Sequence, residues 1–85
     1  MKLSDQIHAA LQAAFSPRQL EVVDDSESHR GHGGWREGGE THFNVLIRAD
    51  VFKGMSRVAR HRAVHAALGQ PVIDRIHALS LDIDA

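Results

Sequence analysis

The sequence predicts a single small α+β domain of order α-β-β-α-β, with a three-stranded mixed sheet and both helices on one face. Three observations carry this. Apolar residues recur at helical spacing in two separate stretches, before Pro17 and after Gly54. They alternate at strand spacing through Thr41 to Arg48. A helix-bearing stretch separates the second strand from the third, which suits a parallel pair, whereas the first two strands adjoin and can pair antiparallel.

Each element has its own warrant. Leu3, Ile7, Ala10, Leu11, Ala14 and Phe15 form the stripe of a first helix near Ser4–Phe15. Ser4 is its expected N-cap, Asp5 favours its dipole, and Pro17 ends it. Leu20–Asp24 reads as a short strand. The stretch from Asp25 to Glu40 holds five glycines and reads as a long loop, a length usually tied to function. In the second strand, Thr41–Ala49, Phe43, Val45 and Ile47 alternate with polar positions, and Leu46 breaks the alternation. A turn through Asp50-Val51-Phe52-Lys53 leads to the second helix, Ser56–Leu68, capped by Ser56 and stopped by Gly69 and Pro71. Its predicted apolar stripe is Val58, His61, Val64, His65 and Leu68, flanked by Arg57, Arg60 and Arg62. Both histidines are expected to be packed, hydrogen-bonded core residues. Gln70 to Arg75 adds a helical turn with Val72 and Ile73 inward. The last strand lies near Ile76–Leu81, with His77, Leu79, Leu81 and Ile83 on one face.

Composition narrows the function classes. Eighty-five residues make one domain, 1–85, able to bury roughly 60–65% of its unfolded surface. A hydrophobic fraction of 42% supports a core. No apolar run nears the roughly 20 residues of a membrane helix, and the N-terminus lacks the apolar region of a secretory signal, so a cytoplasmic protein is expected. The chain has no cysteine, which excludes disulfides, a cysteine nucleophile and an all-cysteine metal site. There is no Gly-rich phosphate loop between strand and helix, no recognisable carboxylate pair and no serine at a strand-to-helix elbow. A non-enzymatic protein is expected.

Seven histidines are the compositional oddity: His8, His29, His32, His42, His61, His65 and His77. Imidazole is the commonest metal ligand, so each is judged by its place. His8 faces away from the first helix's stripe and is expected to be exposed. His42 opens the second strand, where a hydrogen bond would fix the loop. His29 and His32 lie in the glycine-rich loop, either as a solvated segment or as part of a metal site. Trp35, the one tryptophan, sits in the same loop as a partner contact or a cover over the sheet.

The run THFNVLIRADVFKGMSRVARHRAVHAALG, with LEVVDDSESH upstream and IHALSL downstream, resembles the BolA-like family over nearly the whole chain. The resemblance implies an α-β-β-α-β domain similar to class II KH domains. It also implies a function: partnership with a monothiol glutaredoxin as a heterodimer, and handling of a [2Fe-2S] cluster shared with that glutaredoxin and glutathione. In the family's histidine-bearing branch the ligands are the histidine of the terminal HAL motif, here His77, and one in the first hairpin loop. Matching from VVDDSESH places the latter on His29; counting back from the THF strand places it nearer His32. The chemistry agrees, because two histidines can ligate one iron of such a cluster while thiolates hold the other. The isolated chain is expected to carry no cofactor and to be a monomer or weak homodimer.

A second reading is nucleic-acid binding. From Val51 through Ile73 there is no acidic residue, while Lys53, Arg57, Arg60 and Arg62 give a local charge of +4. With His61 and Trp35 these are the expected contacts to DNA or to a protein partner. Against the KH analogy, Gly31-His32-Gly33-Gly34 lies in the strand hairpin, whereas a KH GxxG loop joins two helices.

Overall fold

The computed structural model describes residues 2–25 and 42–85. The expected order holds: α1 (Leu3–Phe15), β1 (Gln19–Asp24), β2 (His42–Arg48), a 3-10 turn (Asp50–Phe52), α2 (Arg57–Leu68), a one-turn α3 (Gln70–Ile73) and β3 (Ala78–Asp84). The sheet order is β1-β2-β3, with β1 antiparallel and β3 parallel to β2. Register pairs Gln19 with Arg48 and Asp24 with Phe43 on one side, and His42 with Ala78 and Arg48 with Asp84 on the other.

One sheet face builds the core. Phe43, Val45 and Ile47 of β2 point inward against Leu3, Ile7 and Leu11 of α1 and Val64 and Leu68 of α2. Leu20, Val22, Leu79, Leu81 and Ile83 flank them half-buried. Phe52, fully buried, stacks at 4.9 Å on Phe15, locking the turn before α2 onto the end of α1. On the opposite face, Glu21, Val23, Asn44, Ser80 and Asp82 are exposed and Leu46 is half-buried, which accounts for its break in the alternation.

Several expectations are corrected. Helix α1 starts at Leu3 with Lys2 as N-cap and no side-chain cap, so Ser4 lies inside it; Leu3 is fully buried, and its packing extends the helix. Strand β2 ends at Arg48. Strand β3 starts at Ala78, not Ile76, because Arg75 and Ile76 donate their backbone N–H groups to Val72 and Ile73 and are held in the turn after α3. His77 therefore precedes the strand. The stripe on α2 is rotated from the one predicted: Val58 is 58% exposed, His65 is exposed and His61 half-buried. The core instead takes Val64 and Leu68 with the small Ala63 and Ala67. The packed core histidines expected on α2 are absent from it.

Both ends of α2 follow local chemistry. The Ala59 N–H donates to Ser56 Oγ at 3.1 Å. Gly69, at φ 84 and ψ 151, separates α2 from α3 in a conformation only glycine takes without strain.

Candidate functional site

Two exposed regions gather the residues singled out by sequence. The first lies where β2 and β3 begin. His42 is 5% exposed, and its backbone carbonyl accepts from the Asp25 N–H at 2.7 Å. That backbone bond joins the ends of β1 and β2 on either side of residues 26–41, in keeping with a hydrogen bond expected at His42. The His42 ring lies 5.2 Å from the ring of His77, at 59°. Parallel pairing of His42 with Ala78 brings the two together. His77 is exposed, so its imidazole is accessible while a buried ring backs it. Strand register creates this neighbourhood, and register is not visible in the sequence of either strand alone. His29, His32 and Trp35 lie outside the described residues.

Among the described residues this region offers one accessible imidazole, that of His77. Among the described residues no group of three or more histidine, cysteine, aspartate or glutamate side chains could hold a metal ion.

The second region is the outward face of α2. Arg57, Val58, His61, Arg62 and His65 line a shallow open groove of about 550 Å3. His61 Nδ1 lies 2.9 Å from the Arg57 carbonyl, which accepts from it when that nitrogen carries the proton. Lys53 is exposed just before the helix. Arg60 does not belong to this face. Its Nε donates to the Phe52 carbonyl at 3.1 Å, and its Nη1 reaches the Ile83 carbonyl at 3.4 Å and Asp84 Oδ1 at 3.2 Å. It is a strut between α2, the 3-10 turn and the end of β3. Asp84 also accepts from the Ala85 N–H at 2.8 Å. That bond, helped by the charges of Arg60 and Arg48, holds the Asp84 carboxyl below its ordinary value despite opposing desolvation.

Comparisons with known proteins place this geometry. Residues 11–85 match the family model described as BolA-like protein. The chain is 42% identical over 83 residues to an uncharacterised Sinorhizobium protein from the cobS 5' region, covering 96% of this chain and 89% of that one. It is 37% identical over 81 residues to the DNA-binding transcriptional regulator BolA of Escherichia coli, covering 95% and 73%. It spans only 22% of a longer relative, SufE-like protein 1 of Arabidopsis thaliana. Among solved structures, BolA1 from Arabidopsis thaliana superposes with a TM-score of 0.83 at 32% identity, over 99% of this chain and 92% of that one. The chain belongs to the BolA-like family.

Proposed function

We propose that this chain is a non-enzymatic partner of a monothiol glutaredoxin, co-ligating a [2Fe-2S] cluster through His77 and either His29 or His32. The observation that carries the reading is His77 itself: an exposed imidazole fixed beside the sheet edge, in a family member that has no cysteine. Two imidazoles would satisfy one iron, leaving the other to thiolates of the partner cysteine and glutathione. This chain's part is to keep its imidazoles oriented and accessible, and the buried His42 ring beside His77 supports that orientation. Cluster trafficking or iron-related regulation, carried out in the cytoplasm, is the role this implies. Reconstitution of the chain with a monothiol glutaredoxin and glutathione tests it. A visible and electron-paramagnetic spectrum of mixed histidine–thiolate type supports the reading, and an all-thiolate spectrum unchanged by this chain defeats it.

A second reading has its own observation. The outward face of α2 carries Arg57, Arg62, His61 and His65 with no carboxylate among its lining residues, and the Escherichia coli relative is named a DNA-binding regulator. Duplex titration at two salt concentrations tests it, since phosphate contacts make affinity fall steeply with salt. No binding at low salt removes it.

A further inference from the structure

We infer that His61 and His65, one turn apart on α2, form a two-imidazole chelate for a late first-row divalent ion, Cu2+ most strongly and Ni2+ and Zn2+ after it. The site uses none of the histidines of the cluster reading and does not depend on that reading.

Spacing carries the first part. Four residues advance a helix by about 400°, so the two side chains lie about 40° apart, one turn above the other, with Cβ atoms roughly 5–6 Å apart. Two histidines at this spacing on one helix face are a recurrent zinc chelate. Here the helix is regular from Arg57 to Leu68 and capped by Ser56, so both ligands stand on a rigid element. Both line the same open groove, His61 half-buried and His65 exposed. The His61 ring is already oriented. Its Nδ1 lies 2.9 Å from the Arg57 carbonyl, an acceptor with no proton to give. In the neutral ring the contact therefore puts the proton on Nδ1 and leaves the Nε2 lone pair for a metal. A carbonyl behind the imidazole is a common outer partner of a metal-bound histidine. His65 has no hydrogen-bond partner among the described residues, so its ring can turn to meet the same ion.

Donor chemistry names the ion. Neutral imidazoles suit copper, nickel and zinc, whereas magnesium and calcium take oxygen ligands, and the order of affinities puts Cu2+ first. Among the described residues no third histidine, cysteine, aspartate or glutamate completes the set, so the ion keeps open positions. Arg57 and Arg62 line the same groove, and among the described residues neither is tied to a carboxylate. Two guanidiniums oppose a bare dication and favour one that brings an anion, so the ion should carry chloride or a carboxylate on its open side. The residues between the two histidines are Arg62, Ala63 and Val64. The glutamate that serves as base in a metalloprotease helix is not among them, and the pair binds without hydrolysing.

The full chain carrying His29→Ala/His32→Ala/His77→Ala, titrated with Cu2+ alone and with Zn2+ alone and followed by NMR, tests the inference. Cu2+ should broaden the signals of residues 57–65 first, and Zn2+ should shift the ring nitrogens of both α2 histidines, at Nε2 in His61. In that background His61→Gln and His65→Gln should each bind at least about tenfold more weakly, because one arm of the chelate is lost. His65→Gln/Ala66→His should not restore affinity, since position 66 lies about 140° round the helix from His61. Positions 65 and 66 are exposed and 61 is half-buried, and amide spectra show whether each variant is folded. The wild-type chain should give the same α2 footprint with no substitution at all. Equal affinity in the single variants, a footprint centred on His8 or His42, or full restoration by Ala66→His overturns the inference. So does binding seen only at millimolar metal, which marks an adventitious contact with a lone imidazole.

Discussion

The buried ring of His42 at the head of β2 lies 5.2 Å from the exposed ring of His77 just ahead of β3, the two planes at 59°. Two strands far apart in sequence thus place one imidazole as backing for another. His42→Ala should lower stability by about 1–3 kcal/mol, the range for removing a buried side chain of this size. It should also move the His77 ring resonances toward those of a free side chain. His42→Phe keeps a ring in place and should hold the His77 shifts near wild type. Denaturant melts and imidazole NMR read the two effects separately; unchanged His77 shifts in His42→Ala would deny the backing role.

His77→Ala should leave the fold intact, because exposed substitutions shift stability by only about 0.5 kcal/mol. It should abolish the histidine signature of the cluster shared with glutaredoxin. Of His29→Ala and His32→Ala, one should resemble wild type and the other His77→Ala. A wild-type spectrum from both His77→Ala and the double variant at positions 29 and 32 would show that these histidines are not ligands.

Arg60 and Asp84 join α2 to the end of β3 at 3.2 Å. The Asp84 carboxyl titrates below its unfolded value, chiefly because the Ala85 N–H donates to it, with Arg60 and Arg48 adding to the effect. A depressed folded-state value means that the unfolded chain binds the proton more readily. Its contribution to stability is therefore present above the ordinary carboxylate value of about 3.9 and is lost as pH falls below it. Asp84→Asn should lower neutral stability slightly and, by the same amount, flatten the acid limb of the stability curve below about pH 4. An acid limb identical to wild type would refute the linkage.

Gly69 at φ 84 and ψ 151 should resist any side chain. The Cβ added by Gly69→Ala meets only Pro71 Cδ at 3.8 Å, an ordinary contact, so the penalty is backbone strain of about 1–3 kcal/mol. Ser56→Ala at the other end of α2 should lower stability by about 1 kcal/mol through loss of the cap. Chemical denaturation of the two variants checks both figures.

The second strand and the Ser56 cap were legible because each rests on a local signal, whereas the Ser4 cap and the start of β3 were not. The alternation of Phe43, Val45 and Ile47 and the Ser56 cap depend on neighbours a few residues away. The facing of α2 was not legible. Ala63 and Ala67 mark the core side weakly, whereas Val58 looks like core and is not. Arg60 turns inward because its acceptors, Phe52, Ile83 and Asp84, are assembled by the fold, two of them from the far end of the chain. The candidate site divides the same way. Sequence and family resemblance singled out His77, but its buried neighbour His42 depends on the register of β2 against β3.

That register also governs how the domain must fold. Each partnered pair of β2 and β3, from His42 with Ala78 to Arg48 with Asp84, is 36 residues apart, and β1 and β2 pair across 19 to 29 residues. Among the described residues no strand pairing is local. Each of these pairings must close a long loop before it is rewarded, so the sheet should assemble late around helices that form early. Folding should be slow for a chain of this size, on the order of milliseconds to seconds. The same delay leaves the apolar strand Phe43-Asn44-Val45-Leu46-Ile47 without its partners for longest, which makes β2 the segment most exposed to misassociation at high concentration.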